Sequence, residues 1–421
     1  MRKKLVVGLG MCFCTGAALS PAAFAVNGYF LEGYGNSRAM GGASVAFPQD
    51  SMVSAANPAA ITELETRVDM SAAFFRPIRH AYAPGLPLST APEVSGSNLF
   101  LIPSMGANFK FNKSLSFGMA AVGSGANTRY NRNFFSLSGG ALSEPTLGVS
   151  LIQMIVSPTA AYKVSKNHSI GGSLLLGAQQ FRAYGASDFN AISFSSDPDY
   201  VSNDGNDHSF GAGIRLGWFG KFMDNQLTMG VSGSSKVYMQ KFNKYRGLFA
   251  EQGGFDIPPN AAIGMSYKLT DQLTTAFDIS HIMYEEIASV SNKGPLDFNA
   301  PPAENQLGAD NGFGFGWENV TAYKLGFHYQ YDSEWILRAG WNYGKSPIQE
   351  DQLLFNIMAP ATVEHHATGG FTYNLNKNVE LSGAITHAFR HDQIGLDPAT
   401  NDNIRIGMSI TTLEGGIAYK F

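Results

Sequence analysis

The chain has 421 residues, of which only 15% are charged while 47 are glycine, and its formal net charge is −4. A typical soluble domain has about 25% charged residues and ~7% glycine, so this composition is unusual for a soluble protein. The slight negative charge argues against a nucleic-acid partner, which requires a clustered basic face.

The first 25 residues have the pattern of a secretory signal peptide. Cations occupy residues 2–4, an apolar stretch covers residues 5–19, and Ala23-Phe24-Ala25 provides a small-x-small cleavage pattern. We therefore expect cleavage after Ala25. Because Cys12 and Cys14 lie inside this segment, the mature chain is expected to lack disulfides and cysteine-ligated metals.

Residues 26–66 do not follow a strand pattern. They are rich in Gly, Ala and Ser, and they contain Pro48 and the motif Asn57-Pro58-Ala59. Taken alone, Asn-Pro predicts only a turn. The segment is nevertheless long enough to be a plug, which a wide barrel needs if it is not to leak.

From about residue 67 the sequence breaks into segments in which apolar and polar residues alternate. In the segment 321–332, Tyr323 and Leu325 share one face, whereas Lys324 and Gly326 share the other. An apolar, aromatic face opposite a polar, glycine-rich face suits a strand between lipid and a lumen. A β-sandwich would show the same alternation, so alternation does not decide the fold.

Fourteen strands are predicted, and the connections between them alternate between short polar turns and longer loops. The predicted strands span residues 67–78, 99–111, 115–123, 149–164, 169–184, 208–222, 227–242, 258–269, 273–289, 317–331, 335–345, 362–375, 379–390 and 404–421. An even strand count with tight turns at one rim predicts an all-β, antiparallel outer-membrane barrel over residues 67–421. In the last strand the alternation slips near Thr411 and Thr412, which predicts a bulge or an altered register there.

Several segments are similar to those of a known family. They are Asn27 to Gly35, Arg38 to Ala43, Ala56 to Ala60, Ala322 to Tyr329 and Trp335 to Pro347. Together they resemble the FadL family of outer-membrane transporters for long-chain fatty acids and aromatic hydrocarbons. The Asn-Pro-Ala motif is weak alone, but its position about thirty residues into the predicted mature chain and before fourteen strands makes it specific.

The resemblance implies a fourteen-stranded barrel, an N-terminal hatch formed here by residues 26–66, and a third strand kinked inward to open a gap in the wall. Ligand would be captured at outer loops, pass to an inner pocket and leave sideways into the membrane. The kink is expected at Gly123, Ser124 and Gly125, because glycine tolerates unusual backbone angles. A plain strand end is the alternative interpretation of these residues. The hatch is expected to be mobile, with its Asn57-Pro58-Ala59 turn beside the gap.

A hydrophobic solute needs an apolar pocket rather than a wide hole, since about fourteen methylenes gain roughly 11 kcal/mol on leaving water. The long loops are expected to expose apolar groups for capture, although loop packing would also explain the paired phenylalanines. The expected ligand-capture residues are Phe134, Phe135 and Leu137 in a long loop, Phe30, Leu31 and Met40 nearer the lumen, and Arg129 near the loop entrance.

No motif of a serine hydrolase or a zinc protease occurs, so we expect a passive transporter rather than an enzyme, with no metal and no cofactor. The expected partners are a hydrophobic small molecule, outer-membrane lipid and lipopolysaccharide, and the barrel-assembly machinery during biogenesis; we expect a monomer. A general water-filled porin and a surface adhesin or structural barrel remain alternatives. The choice between fatty acids, alkanes and aromatic hydrocarbons also remains open.

Overall fold

The computed structural model describes residues 32–83, 92–135, 144–191, 194–294, 305–396 and 403–421. The strands among these residues form one antiparallel sheet that closes on itself. Its strands are β1 (Arg67–Tyr82), β2 (Glu93–Val94), β3 (Phe100–Lys110), β4 (Leu115–Tyr130), β5 (Leu147–Lys163), β6 (His168–Tyr184), β7 (Asp207–Phe222), β8 (Leu227–Ser234), β9 (Tyr238–Met239), β10 (Asn260–Lys268), β11 (Leu273–Ile282), β12 (Val320–Gln330), β13 (Trp335–Gly344), β14 (His365–Asn374), β15 (Val379–Leu396) and β16 (Asn403–Lys420).

Fourteen of these strands form the wall, as predicted. The two-residue strands β2 and β9 only extend the sheet beside β1 and β7. Pairing of β1 with β16, from Arg67 opposite Lys420 to Tyr82 opposite Arg405, closes the barrel. Within the described ranges, no helix is both long and apolar enough to cross a membrane.

The alternation predicted from the sequence separates an outer face from a lumen face. In β12, Tyr323 and Leu325 are 45% and 38% exposed, whereas Ala322 and Lys324 are buried. The exposed face is apolar and aromatic around the barrel, which suits contact with lipid. Short turns join the strands at one rim and longer connections at the other.

Five strands end four or more residues from the predicted limit. Two of them, β1 and β15, continue past predicted ends at residues 78 and 390, to Tyr82 and Leu396. The third wall strand, β4, continues to Tyr130 instead of ending at residue 123, while β8 and β11 end earlier than predicted, at Ser234 and Ile282. After Ile282 the chain forms short helical turns in which Tyr284 is fully buried. Apolar residues beyond these strand ends therefore pack inside the molecule instead of extending the wall.

The irregularity predicted near Thr411 lies in the ladder between β15 and β16, which shifts register between the pairs Ala388–Ile410 and His391–Met408, whereas β16 pairs with β1 in one unbroken register. The even-numbered residues of β16 face the lumen throughout. They are polar near the short-turn rim, as at Thr412 and Glu414, and apolar near the long-loop rim, as at Ile406 and Ile410. The apparent slip in the sequence thus reflects a lumen that changes from polar to apolar.

Residues 32–66, the described part of the hatch, fill the lumen. They form three short 3-10 turns at Gly35–Met40, Ser51–Ala55 and Pro58–Glu63. Two of these turns begin at a side chain that accepts a backbone N–H, Asp50 from Met52 and Asn57 from Ala59. Most hatch residues are buried.

The largest hydrophobic core lies at the long-loop rim, where the loops pack over the lumen. We call this cluster the cap. Its aromatic members include Phe134, Phe135, Phe189, Phe194, Phe249, Phe313 and Phe355. The molecule is therefore closed by the cap at one level and by the hatch at another.

Candidate functional site

The first turn of the hatch is held to the wall by buried charges. Arg38 forms ion pairs with Glu32 of the hatch and with Glu414 of β16, and all three side chains are buried. Glu414 also accepts the backbone N–H of Gly35 at 3.1 Å. Burial raises the pKa of Glu32 above its usual value, despite the opposing effect of Arg38. This cluster fixes the start of the described hatch against the last wall strand.

A second buried carboxylate organises the middle of the hatch. Asp50 accepts the backbone N–H of Asn36 at 2.8 Å and that of Met52 at 3.0 Å. Burial, together with the nearby charge of Asp69 in β1, raises the pKa of Asp50 to about 7. The protonation of one carboxyl group is therefore linked to the conformation of two hatch turns.

The hatch rests on glycines whose missing side chains make room for it. A Cβ added at Gly217 of β7 would lie 2.2 Å from Asn57 Oδ1, and one at Gly340 of β13 would lie 2.3 Å from the nitrogen of Gly41. Similarly close approaches to the hatch occur at Gly106, Gly171, Gly230 and Gly326. The glycine-rich lumen face of the strands is thus a seat for the hatch backbone.

The Asn57-Pro58-Ala59 motif lies against β6, β7 and β8. Asn57 is fully buried, and its amide donates to the carbonyl oxygens of Val45 at 2.8 Å and Trp218 at 3.0 Å. The polar groups of Asn57 are bound to β7 and to the hatch itself, and the turn that it begins, Pro58–Glu63, also contacts β4. The turn Ser51–Ala55 contacts β3 and β4 as well.

Pairing between β3 and β4 is interrupted. The last pair in the ladder is Ser104 with Val122, and above it residues 123–128 of β4 pair with β5 but, within the described residues, not with β3. The hydrogen bond from the N–H of Gly96 to the carbonyl of Arg129, at 2.8 Å, marks the upper end of the interruption. We call residues 123–128 and the missing ladder beside them the wall gap.

The predicted kink residues lie at the lower end of the wall gap. Gly125 has a φ of +155°, and an added Cβ would lie only 2.1 Å from the carbonyl oxygen of Leu151. At Gly123 the nearest atom is 3.8 Å away, so a side chain would fit there. Ser124 faces the lumen and donates to Gln153 at 3.1 Å. Because β4 continues to Tyr130, the plain strand-end interpretation is wrong.

A short segment bridges the top of the wall gap, and we call residues 95–97 the strap. Ser95 donates its backbone N–H to the carbonyl of Arg79 at 3.0 Å, and its hydroxyl accepts the N–H of Arg129 at 3.0 Å. The guanidinium of Arg79 donates to the carbonyl of Ser97 at 2.9 Å. The strap therefore joins β1 to β4 where β3 does not reach.

An apolar cavity adjoins the wall gap on the lumen side. It has a volume of about 30 Å³. Its lining consists entirely of hydrophobic residues, namely Ala126, Val149, Leu151, Phe181, Phe249, Phe255, Val290, Phe315, Trp317 and Ala359. Cavities that hold benzene have a volume of about 150 Å³, several times larger. The cavity must therefore expand before it can hold a hydrocarbon.

The predicted capture residues Phe134 and Phe135 are buried rather than exposed. Their relative exposures are 0% and 1%. The ring of Phe135 lies 5.3 Å from that of Phe189 and 5.5 Å from that of Phe355. The expectation of an exposed apolar loop is wrong for these residues, because their rings pack against other aromatic rings inside the cap.

The other predicted ligand residues are dispersed. Met40 is fully buried against Gly326 and belongs to the hatch seat rather than to the lining of the apolar cavity. Arg129 is exposed at the strap. Phe30, Leu31 and Leu137 lie outside the described residues. The residues that line the cavity were missed because they come from several strands and loops and share no spacing in the sequence.

A second, polar cavity lies between the hatch and the wall, with a volume of about 70 Å³. Its lining includes Asp50, Arg215, Asp278 and Lys324. In the part of the chain that the structure describes, no group of three or more His, Cys, Asp or Glu residues is placed to hold a metal ion.

Comparison with known proteins agrees with this geometry. Residues 12–412 match the model of a family described as outer membrane protein transport protein (OMPP1/FadL/TodX). The solved Pseudomonas putida toluene transporter TodX is similar at 17% identity and a TM-score of 0.68, over 93% of this chain and 99% of that one. The Ralstonia pickettii toluene transporter TbuX is similar at 18% identity and a TM-score of 0.64, with the same coverage. A Pseudomonas aeruginosa FadL homologue is similar at 14% identity and a TM-score of 0.66, over 96% of this chain and 99% of that one. Comparison with curated sequences finds no match.

Proposed function

The chain belongs to the outer membrane protein transport family of OMPP1, FadL and TodX, and on this premise we propose that it carries hydrophobic compounds passively across the outer membrane. Two of the similar structures are toluene transporters and a third is a FadL homologue. The same proposal includes the absence of enzymatic activity.

The observation that carries the proposal is the adjacency of an apolar cavity to an interrupted wall. Ala126 belongs to the wall gap and also lines the cavity. Burying an apolar molecule there is favourable by about 25 cal/mol for each Å² removed from water. Passage from the cavity through the wall gap would keep that surface away from water until the molecule reaches lipid.

The hatch favours this sideways route over a route straight through the barrel. Its turns are buried against wall glycines and bound through Asp50, Asn57 and Arg38. A hydrophobic solute that crossed it would also have to re-enter water at the short-turn rim and lose the free energy of burial. A water-filled porin, by contrast, would require the polar cavity to widen into a continuous channel.

Ligand would arrive from the long-loop rim, through the cap. In this proposal Phe134 and Phe135, together with Leu137, contact ligand when the cap loosens. Phe30, Leu31 and Met40 would do so from the hatch, with Arg129 at the strap. Gly123, Ser124 and Gly125 would form the lateral opening.

Several further expectations belong to this proposal. They are removal of a signal peptide at Ala25, the domain limits 26–66 for the hatch and 67–421 for the barrel, insertion by the barrel-assembly machinery, and a monomeric state.

Arg76, Arg390 and Arg405 are exposed on neighbouring strands of the outer face. Guanidinium groups at this position suit the phosphates of lipopolysaccharide.

Cross-linking across the wall gap tests the proposed route. Ile102 and Ser124 would be opposite one another if the β3–β4 ladder continued in register, and Ser104 and Val122 form its last existing pair. All four side chains face the lumen and are buried, so I102C/S124C and S104C/V122C are matched disulfide variants. Oxidised I102C/S124C should lose uptake of oleate, hexadecane and toluene in a deletion strain and regain it on reduction. The control pair should transport in both states.

Uptake that survives closure of the wall gap would contradict the lateral route. Single-channel conductance together with uptake of small polar solutes would favour a porin. Growth on these compounds that is unaffected by deletion of the protein would favour an adhesin or structural barrel.

A further inference from the structure

Two arginines lie on the outer face directly above the wall gap. Arg129 follows the last residue of the gap on β4, and Arg182 lies near the upper end of β6; both side chains are exposed. Neither arginine forms an ion pair with another described residue. The parts of the adjoining connections that lie outside the described residues, 84–91 and 136–143, contain no Asp or Glu. The described residues therefore leave two guanidinium charges unmatched at one place on the outer face.

Tyr184 links the strands that carry the two arginines. Gly148 of β5 lies opposite both Arg129 on β4 and Tyr184 on β6. Tyr184 crosses β5 at this glycine and donates its hydroxyl hydrogen to the carbonyl of Thr128 at 2.8 Å. The guanidinium carbon of Arg182 lies 5.7 Å from the centre of the Tyr184 ring, and both arginines are electrostatic neighbours of the tyrosine. The tyrosine thus joins β4 to β6 across β5, with a cation at each end of its side chain.

The two arginines are close enough to bind one phosphate group together. They are separated by two strand spacings of about 4.8 Å and by two residues along the strands, which gives about 12 Å between their Cα atoms. Two extended arginine side chains can meet across this distance. The planar fork of a guanidinium matches the oxygens of a phosphate, so the pair is suited to a phosphate monoester.

A nearby carboxylate does not neutralise the pair. Glu144 accepts the backbone N–H of Gly185, which follows Tyr184, at 3.2 Å. It belongs to none of the ion pairs formed by the described residues. One carboxylate beside two guanidinium groups also leaves a net positive charge.

The height of the pair in the membrane indicates which phosphate it meets. On β6, Ile170, Leu174 and Leu176 are exposed on the lipid face. Arg182 lies twelve residues above Ile170, which is about 40 Å along the strand and about 30 Å in height at a tilt of about 40°. The apolar band of an outer-membrane barrel is about 25 Å tall, and its longer loops face the outside. Arg182 therefore lies just above the band, among the headgroups of the outer leaflet, where lipopolysaccharide supplies the phosphates.

We propose that Arg129 and Arg182 bind a phosphate of one lipopolysaccharide molecule and hold that lipid over the wall gap. Its acyl chains then lie on the outer face below the arginines, where Gly123 and Gly125 leave the wall gap without side chains. The role of this lipid rests on the proposed transport function, because a hydrophobic molecule that leaves the wall gap passes directly between the acyl chains. The bound lipid thus receives the transported molecule.

Labelling of a single thiol beside the two arginines tests this site. Ser150 of β5 is half-buried and lies opposite Arg182, and the mature chain is expected to have no other cysteine. Purified Ser150→Cys protein in phosphatidylcholine nanodiscs is labelled with a water-soluble maleimide, with and without bisphosphorylated lipid A. Lipid A should slow the labelling. Adding Arg129→Gln and Arg182→Gln should raise the lipid A concentration needed for equal protection at least about 10-fold, because charge-assisted hydrogen bonds to phosphate are strong.

Lys345→Gln in the Ser150→Cys background is the matched control. Lys345 is an exposed cation directly after β13, and β13 lies seven wall strands from β5, on the opposite side of the barrel. This variant should be protected at the same lipid A concentration as Ser150→Cys alone. Inorganic phosphate and phosphatidylglycerol, added at matched concentrations, separate the possible sources of phosphate, and neither should protect the thiol.

Equal protection with and without the two arginine substitutions would overturn the site. Protection by phosphatidylglycerol or inorganic phosphate as strong as that by lipid A would overturn the assignment to lipopolysaccharide. Both outcomes leave uptake through the wall gap standing. Uptake that persists in oxidised I102C/S124C would instead overturn the transport route and leave the lipid site standing.

Discussion

The side-chain amide of Asn57 donates to the backbone carbonyl of Trp218 at 3.0 Å, so a hatch residue is bound directly to wall strand β7. The same amide donates to Val45, and the side-chain oxygen accepts the N–H of Ala59. One buried asparagine thereby joins two hatch segments and the wall. Gly217, which precedes Trp218, permits this approach because it has no side chain. The contact therefore requires both the side chain of Asn57 and the absence of a side chain at Gly217.

Replacing Gly217 with alanine should loosen the hatch without preventing barrel assembly. The new Cβ would lie 2.2 Å from Asn57 Oδ1 and 2.8 Å from Pro58 Cδ, so the hatch turn must shift. Overpacking of this kind typically costs about 1–3 kcal/mol. Limited proteolysis of the folded barrel should then cleave the hatch faster than in the wild-type protein. Gly415→Ala is the control, since nothing lies within 4 Å of its added Cβ. Equal cleavage rates in the two variants would contradict the conclusion that Gly217 makes room for the hatch.

Replacing Arg38 with methionine should destabilise the hatch more than replacing Glu414 with glutamine. Arg38→Met leaves Glu32 and Glu414 buried with no cation between them, and loss of one partner from a buried pair costs about 3–5 kcal/mol. Glu414→Gln keeps the pair between Arg38 and Glu32 and keeps an oxygen for the N–H of Gly35. Hydrogen exchange of hatch amides measures the difference. The prediction fails if the glutamine variant exchanges as fast as the methionine variant.

The stability of the hatch should fall as pH rises through neutrality. The pKa of Asp50 is about 7 in the folded chain, well above its ordinary value of 3.8, chiefly because the group is buried. The folded state therefore binds this proton more tightly than an unfolded or released hatch, and the stabilisation is complete below about pH 4 and lost as pH rises through about 7. Proteolysis of the hatch should accelerate between pH 6 and pH 8. Asp50→Asn should flatten this dependence, and an unchanged pH profile in that variant would assign the effect to another group.

The wall could be predicted from the sequence because lipid imposes a strict requirement on alternate residues. Tyr323 and Leu325 face outward where the alternation places them, and β1 begins at Arg67, where the first strand was predicted. The same rule fails where the lumen itself becomes apolar, as at Ile406 and Ile410. There both faces carry apolar residues, and alternation no longer identifies the face.

The interior could not be predicted in the same way, because its contacts join residues far apart in the chain. Phe181, Phe249 and Trp317 line one cavity but come from separate connections and strands. Phe134 and Phe135 resembled an exposed capture surface only because their partners in the cap are distant in sequence.

The wall gap should depend on Gly125 and not on Gly123, although the two glycines are equivalent in the sequence pattern. At Gly125 the backbone has a φ of +155°, and an added Cβ would lie 2.1 Å from the carbonyl of Leu151, so Gly125→Ala must displace β4 from β5. At Gly123 an added methyl group meets nothing closer than 3.8 Å. We therefore expect Gly125→Ala to reduce uptake of hydrophobic compounds, because the displaced strand borders the opening and overpacking of this kind typically costs about 1–3 kcal/mol. Gly123→Ala should transport like the wild-type protein. Equal amounts of folded protein in the outer membrane, shown by heat-modifiable mobility, are required for the comparison. If the two alanine variants transport equally well, the opening is not shaped by the backbone at Gly125, and the interrupted ladder above Val122 is a feature of the wall without a role in transport.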